Sequence, residues 1–170
     1  MITSEMVKHI QGTLNGLTKG KNINFGQDLD AETAPGSGIL VVLTDGKDVE
    51  SLSNSVGKKV LASSTVLGKN DDIFTVEDKT INVINIPYSE SISIEKGSAT
   101  GFAIVQVAST NLKEVSIVGS NENADPRKKY VIDNTNLEGC SVLFSGTIST
   151  TQTIEENNSF SLSNIKITFN

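Results

Sequence analysis

Residues 97–119 read GSATGFAIVQVASTNLKEVSIVG and contain the most apolar strand pattern of the sequence. In residues 102–107, neither of the two alternating faces is polar throughout, which is typical of a strand that is covered on both sides or packed centrally in a sandwich. Residues 109–111 supply side chains that favour a turn, and Val115 and Ile117 then alternate with polar residues. The stretch therefore predicts a core strand and a half-exposed strand that returns beside it.

Strand patterns separated by turn residues continue on both sides of this stretch. The apolar run at residues 39–43 is too short for a helix and predicts a buried strand. Val142 and Phe144 share one alternating face, residues 147–153 are rich in serine and threonine as in an exposed strand, and residues 165–169 alternate strictly. Such strands, about ten residues apart, predict a mainly β fold: an antiparallel β-sandwich or barrel-like domain with a short N-terminal helix.

The first 18 residues hold the one pattern that is typical of a helix. Apolar residues recur there at spacings of four and three, which places them on one stripe, and Thr3 or Ser4 is suited to cap the helix. A helix this short is marginal alone, so the stripe must pack on another surface. The stripe consists of Ile2, Met6, Ile10, Leu14 and Leu17.

Two interpretations of this stripe are open. The helix either covers an open end of the β core or docks, as an arm, on a neighbouring subunit. Helix formation through packing needs only some tertiary surface, which favours the first interpretation. For the second, apolar anchors at this spacing suit a groove on a partner. The candidate interface residues are Ile2, Met6, Ile10 and Leu14.

The composition divides the chain into three segments. Residues 1–20 form the N-terminal helical arm. Residues 21–38 are rich in Gly, Asn and Asp and end in a turn-forming run, so they predict a linker or long loop. Residues 39–170 form the β-sandwich domain, and a chain of 170 residues is long enough for one core and an appended arm.

The charge and the hydropathy of the chain exclude several classes of partner. The formal net charge is -6, whereas contacts to phosphate require clustered Lys and Arg, so nucleic acid is not an expected partner. No run of about 18 consecutive apolar residues is present, and the N-terminus lacks the apolar region of a signal peptide. We therefore expect no membrane partner and synthesis in a cytoplasm.

Reactive side chains are few. Cys140 is the only cysteine and His9 the only histidine, which is too few for a transition-metal site. A lone thiol without an obvious partner is expected to be a core residue, and His9 is expected at the surface. We expect no catalytic, cofactor or metal site and no enzymatic activity. Paired carboxylates of a glycoside hydrolase stay an alternative, because their separation depends on the fold rather than on sequence spacing.

Two acidic loops carry the oxygen ligands that calcium prefers. Neither loop has the spacing of an EF-hand, so carboxylates in contact with solvent are the favoured interpretation. The first group is Asp28, Asp30 and Glu32, and the second is Asp45, Asp48 and Glu50.

With GSATGFAI at residues 97–104 in view, the chain resembles small β-rich structural proteins of tailed bacteriophages. Those proteins carry a Gly-(Thr/Ser)-Ala-Thr-aromatic-Phe stretch, a second strand that ends in Val-Gly, an Asn-Thr turn and a closing strand that contains Ser-Phe. The counterparts here are residues 115–119, the turn at Asn134 and Thr135, and residues 159–169, so the likeness covers roughly residues 90–170. The sequence departs from the pattern at Gly101, where an aromatic residue is usual, and at Ala103, where arginine is common.

This resemblance implies a structural protein of a phage virion. The favoured interpretation is a capsid decoration or auxiliary head protein that binds the major capsid protein or other virion proteins and reinforces the shell. A neck, tail or fibre component is the nearest alternative, and a carbohydrate-binding or adhesive β-sandwich and a small hydrolase are alternatives from other classes. The expected location is the virion, where the chain would form a homo-oligomer or a symmetric array.

Overall fold

The computed structural model describes residues 1–18, 37–46, 49–52, 60–67, 72–86, 91–117, 130–137, 140–155, 161–163 and 165–169. These residues contain one α-helix, α1 (Ser4–Thr18), and a 3-10 turn at Ser109–Asn111. The strands are β1 (Ser37–Thr44), β2 (Val60–Ser64), β3 (Phe74–Glu77), β4 (Thr80–Val83), β5 (Ser91–Ser93), β6 (Gly97–Ala108), β7 (Leu112–Glu114), β8 (Tyr130–Ile132), β9 (Ser141–Ile154) and β10 (Lys166–Thr168).

The core strand predicted at residues 102–107 is β6, and it has a strand on each side. The largest sheet is antiparallel and has the order β5-β2-β1-β6-β9. Side chains on both faces of β6 are buried, because Ile104 belongs to one apolar cluster and Val105 to another on the opposite face. The prediction of a strand covered on both sides is confirmed.

The first apolar cluster lies between the two larger sheets and α1. The second sheet has the order β10-β4-β3 and is also antiparallel. Val41 and Ile104 from the five-stranded sheet share this cluster with Phe74 and Ile81 from the three-stranded sheet and with Val7 from α1. The arrangement is sandwich-like, and the described strands form no closed barrel. The predicted mainly β, antiparallel fold with a short N-terminal helix is confirmed.

The second apolar cluster covers the other face of the five-stranded sheet. Strands β7 and β8 pair with each other, and Ile132 and Leu137 from this region pack in the same cluster as Leu40, Ala103 and Val105. Burial of both faces explains why the central strands read as continuous apolar runs rather than as alternating ones.

The strand predicted at residues 115–117 is wrong. The return strand is β7, at Leu112–Glu114, and it pairs with β8 rather than with β6. The physical reason is that β1 and β9 already occupy both sides of β6, so the chain must leave the sheet at the turn Ser109–Asn111. The last two residues of the predicted strand, Val118 and Gly119, lie outside the described residues.

Helix α1 packs on the β core through residues that include Val7 and Leu14, which are 0% and 4% exposed. The hydroxyl of Thr3 accepts a hydrogen bond from the N–H of Met6 at 3.2 Å, so Thr3 caps the helix. The helix contacts β1, β3 and β4, which confirms that it covers the β core. Docking of the same helix on another subunit stays a prediction.

The predicted linker at 21–38 falls almost entirely outside the described residues. Its last two residues, Ser37 and Gly38, belong to β1. The first strand therefore begins earlier than residue 39. A side chain at Gly38 would overlap the side chain of Val66, so the strand passes too close to its neighbour there for a larger residue.

Strand β9 breaks its alternation at two points. Phe144 lies opposite Ile104, but Val142 lies opposite Val105, so Leu143 is an extra residue in a β-bulge. Leu143 and Phe144 therefore pack against the same cluster although they are adjacent, while Val142 packs in the other. The shared face predicted for Val142 and Phe144 is wrong for this reason. A second irregularity places residues 148–151 opposite a single residue of β6.

Candidate interaction surface

Strand β9 forms one edge of the five-stranded sheet, and no described strand pairs with its outer side. Its sequence, SVLFSGTISTTQTI, contains no charged residue and no proline. Most side chains of residues 147–153 are exposed, which confirms the predicted exposed strand. Natural edge strands are usually protected from pairing with other chains by short length, charged residues or proline. Strand β9 is long and uncharged, so its two bulges are the only such protection within the strand.

The hydrogen bonding of β1 fixes which residues of β9 bond to β6. The N–H of Val41 donates to Oγ of Ser64, on the β2 side, at 2.9 Å. The facing residues Val41 and Ile104 are therefore not bonded to each other, and Ile104 directs its backbone groups to β9. Because Phe144 lies opposite Ile104, Phe144 bonds to β6.

The residues that alternate with Phe144 direct their backbone groups away from the sheet. The backbone groups of Gly146 point the same way as those of Phe144, and Gly146 lies opposite Phe102. The ring of Phe102 covers Gly146 closely: a Cβ on Gly146 would lie 2.9 Å from Cε1 of the ring. Ser145 and Thr147 have the opposite orientation. Their N–H and C=O groups form the outer edge of β9 in the regular stretch between its two bulges.

The edge of the other sheet at β3 is closed by the helix. The side-chain amide of Asn15 donates to the carbonyl of Phe74 at 2.8 Å and accepts from the N–H of Phe74 at 2.9 Å. Gln11 donates a further bond to the same carbonyl at 2.9 Å. The remaining described edges, β5, β7, β8 and β10, are three residues long each. Among the described strands, β9 is thus the long edge without a cap.

An apolar groove of about 340 Å³ runs between α1 and β9. It lies on the same side of the sheet as Phe144, so a strand that pairs with β9 would place alternate side chains over it. The ring of Phe144 also meets the ring of Phe169 edge to face, with centroids 6.1 Å apart. The groove is lined by Met6, His9, Ile10, Thr13, Leu14, Leu143 and Phe144.

The structure brings three of the four predicted interface residues to this groove. Met6 is 52% exposed, and Ile10 is half-buried against the core. Leu14 lines the groove but is only 4% exposed, so most of its side chain is committed to the core of its own chain. Ile2 packs against the same core cluster and does not line the groove. The interface itself stays a prediction.

A second cleft, of about 450 Å³, opens at the large bulge of β9. It lies between the bulge and residues 161–163 and 165–166. Apolar side chains that include Phe102 and Leu162 contribute to its walls together with serine and threonine hydroxyls, and Lys166 is the charged residue among them. This lining provides hydrogen-bonding groups and apolar surface but no carboxylate or imidazole for acid–base chemistry.

The cysteine packs against apolar residues, and the histidine is exposed. Cys140 packs against the second apolar cluster, and burial raises the pKa of its thiol to about 11. The thiol is therefore protonated at neutral pH and a poor nucleophile. His9 is exposed on α1, as predicted, and Thr13 donates a hydrogen bond to its carbonyl at 3.0 Å.

The candidate calcium loops lie largely outside the described residues. Asp28, Asp30 and Glu32 all do, and so does Asp48. Glu50 is exposed and Asp45 is half-buried. Within the described part of the chain, no group of three or more His, Cys, Asp or Glu residues is placed to hold a metal ion.

Comparison with known proteins finds no matching family, no matching curated protein and no matching solved structure. No helix within the described ranges is long and apolar enough to cross a membrane.

Three features of the structure could not be predicted from the sequence pattern. The bulge at Leu143 has no local sequence mark, because it is defined by the strand opposite. Val7 lies one position beyond the predicted stripe yet is fully buried. Asn15 follows directly after Leu14 in the helix, and an amide at such a position is expected to face solvent rather than to close a strand edge. A buried asparagine side chain in an amphipathic helix needs hydrogen-bond partners, and here the edge of β3 supplies them.

Proposed function

We propose that this chain is a structural protein of a bacteriophage virion, of the capsid decoration or auxiliary head type, that binds the shell and reinforces it. The observation that carries the proposal is the edge of β9, a 14-residue neutral strand whose outer side is free of other described strands. Such an edge acts by assembly, since it offers backbone groups and surface rather than reactive side chains. The resemblance of residues 97–104 to phage structural proteins supports the same role.

The chain would reinforce the shell by burying surface at each of many symmetry-equivalent sites. A shell presents many equivalent sites, so an interface of modest size adds up over the copies on one particle. Two contact elements are available on this chain for binding the shell or another copy of the chain: the edge of β9, which pairs with an extended strand, and the neighbouring groove with the exposed side chain of Met6. A neck, tail or fibre protein would use the same elements, so the location in the particle is decided by the experiment below.

A carbohydrate-binding module is the second candidate, and the cleft beside the bulge favours it. Hydroxyls of Ser149, Thr150 and Ser161, the amide of Gln152 and the ring of Phe102 line one concave site. Polar groups set in a partly apolar cleft are typical of small-molecule sites. The cleft has one aromatic ring and no tryptophan, whereas stacking on sugars benefits from aromatic platforms, so we place this candidate second.

The test is cryo-electron microscopy of the particle whose genome encodes the chain, together with co-sedimentation of the purified chain with heads that lack it. The proposal expects repeated density on the shell and saturable binding to heads. Density confined to the neck, tail or fibres would move the chain to that location. Absence from all particles, with binding to a glycan array that Gln152→Ala abolishes, would replace the proposal by the second candidate.

Removal of residues 1–18 is a poor test of binding, because Val7 and Leu14 belong to the core and their loss would unfold the chain. Met6→Glu is the better variant, since this side chain is 52% exposed. It places a charge at the groove and leaves the core intact. If the groove contributes to shell binding, this variant binds heads more weakly, while Lys8→Gln, on an exposed part of the same helix, makes the net charge more negative by the same single unit and serves as the control for charge alone.

A further inference from the structure

We propose that β9 is a self-association strand: two copies of this chain pair edge to edge along β9, antiparallel and related by a two-fold axis, so that two five-stranded sheets become one continuous sheet. The proposal rests on the assembly role proposed above and names the partner at this edge. Its basis is the chemistry of the edge and of its immediate neighbours.

The edge of β9 presents backbone hydrogen-bonding groups to a partner. The backbone groups of Ser145 and Thr147 point outward from the sheet, as derived from the bond of Val41 to Ser64. An outward row of alternating donors and acceptors at strand spacing fits an extended polypeptide and no other common partner. The occupant is therefore a strand.

The charge distribution favours a second copy of this chain as the source of that strand. The chain carries a formal net charge of -6, so most contacts between copies would bring like charges together. Among the described strands at a sheet edge, β9 is the longest, and none of its 14 residues is charged. Pairing β9 with itself places no charged residue of one β9 opposite a like charge in the other.

The position of Glu155 bears on the relative direction of the two β9 strands. Glu155 follows the last residue of β9 and is exposed. A parallel pair would bring the two Glu155 carboxylates to the same end of the seam, whereas an antiparallel pair separates them by its whole length. The antiparallel pair is also the arrangement that a two-fold axis produces, so we assign this orientation.

An apolar surface lies beside the seam, that is, beside the line along which the two β9 strands pair. The groove between α1 and β9 lies next to the regular stretch 144–147, and Met6 and Phe144 line it. Alternate side chains of the added strand lie over this groove, so pairing removes apolar surface from water as well as satisfying backbone groups. The regular stretch is short, because bulges bound it on both sides. We therefore expect a dimer that dissociates on dilution.

The experiment measures the mass of the full-length chain by sedimentation equilibrium over a wide concentration range. Thr147→Lys adds a charge to the exposed edge, and Ser145→Pro removes a donor that the sheet of the chain itself does not use. Thr75→Lys is the matched control, because Thr75 is an exposed strand threonine on β3 of the other sheet. Circular dichroism and the urea midpoint show whether each variant folds.

The proposal expects concentration-dependent dimers for the unmodified chain and for Thr75→Lys, and monomers for folded Thr147→Lys and Ser145→Pro. It also expects the amides of Ser145 and Thr147 to exchange more slowly with deuterium at high than at low concentration. A chain that is monomeric at all concentrations overturns it, and so do dimers that folded Thr147→Lys leaves intact. If Ser145→Pro does not fold, Thr147→Lys and the exchange rates decide.

Binding to heads is measured separately, so that the two proposals fail separately. A monomeric chain that binds heads leaves the virion role standing and removes the self-association strand. A dimer that depends on Thr147 and binds no particle leaves the strand pairing standing and removes the virion role.

Discussion

The side chain of Asn15 and the backbone of Phe74 form a reciprocal pair of hydrogen bonds, with the amide donating to the carbonyl at 2.8 Å and its oxygen accepting from the N–H at 2.9 Å. The amide thus takes the place of a neighbouring strand at the edge of β3. Asn15 is 6% exposed and Phe74 is fully buried, so water does not replace these bonds readily. This pair fixes α1 to the three-stranded sheet.

Asn15→Ala should lower the free energy of unfolding by about 1–3 kcal/mol, because it leaves a buried N–H without a partner and weakens the bonding of a buried carbonyl. Urea unfolding followed by circular dichroism measures the change. Gln11→Ala is the control: it removes one bond to the same carbonyl, while Asn15 still satisfies both groups of Phe74. Equal losses for the two variants would show that the reciprocal pair does not dominate this contact.

Leu14 and Met6 should separate the two roles of the helix. Leu14 is 4% exposed and Met6 is 52% exposed, although both belong to the apolar stripe. Leu14→Ala should cost about 2–5 kcal/mol of stability through loss of buried contacts and the cavity left behind. Met6→Ala should stay within about 0.5 kcal/mol, as surface substitutions usually do. Thermal or urea unfolding measures both, and a large loss for Met6→Ala would contradict its placement at the surface.

The elements that could be predicted are those whose information is local. β1 and β6 read as apolar runs because both faces of the sheet are covered, and α1 reads as a stripe with Thr3 in reach as its cap. Each of these depends on the period of side chains along one segment. The Ser/Thr-rich part of β9 was recognisable for the same reason.

The features that could not be predicted depend on a second segment. The return after β6 pairs with β8 because the places beside β6 were already taken, and no local pattern carries that information. The bulge at Leu143 likewise exists only relative to the register of β6. For the candidate surface, the apolar stripe of the helix predicted Met6 and Ile10, which line the groove. It could not predict that Leu14 is only 4% exposed, because that burial depends on how the helix packs on β1 and β3.

Gly101 should be intolerant of substitution. A Cβ at this position would overlap the carbonyl oxygen of Gly46 and lie 2.9 Å from the carbonyl oxygen of Gly146. Backbone atoms on both sides cannot move away cheaply, so Gly101→Ala should destabilise the fold by about 3 kcal/mol, at the upper end for overpacking.

Gly12→Ala is the matched control for this substitution. A Cβ on Gly12 has no neighbour within 4 Å, and Gly12 lies in the exposed face of α1. Alanine is the better helix former, so this variant should gain about 0.5–1 kcal/mol. The two melts, run side by side, distinguish local crowding from a general effect of replacing glycine, and a stable Gly101→Ala would contradict the close approach of the strands.

Cys140 should react slowly with thiol reagents in the folded chain. Burial raises the pKa of its thiol from 9.0 to about 11, and the thiolate is the reactive form. At pH 8 the thiolate fraction should therefore be roughly 100-fold lower than in the urea-unfolded chain, given the difference between these two pKa values. Labelling with a chromogenic disulfide at pH 8, with and without urea, measures the ratio. Equal rates in the two states would contradict the packing of the thiol in the second apolar cluster.

Asp133 should make the fold more stable above its unfolded pKa than below it. The hydroxyl of Thr135 donates to the carboxylate at 2.7 Å and its N–H donates at 3.0 Å. The hydroxyl bond is the largest cause that lowers the pKa of Asp133 below 3.8; the backbone bond and the charge of Lys113 act in the same direction, and partial burial opposes them. Since the folded pKa is the lower one, the unfolded chain binds the proton first as the pH falls. The contribution is complete above the unfolded value and is lost as the pH drops through the folded value.

Thr135→Ala should raise the pKa of Asp133 toward 3.8, because it removes the first of these causes and keeps the backbone bond. It should also reduce the loss of stability between neutral pH and the acid limb. Carbonyl chemical shifts of Asp133 followed by NMR titration give the pKa directly. Thr13→Ala removes a hydroxyl that donates to the carbonyl of His9 and should leave the titration of Asp133 unchanged. An unaltered pKa in Thr135→Ala would assign the lowering to Lys113 and the backbone N–H instead, which Lys113→Met would then test.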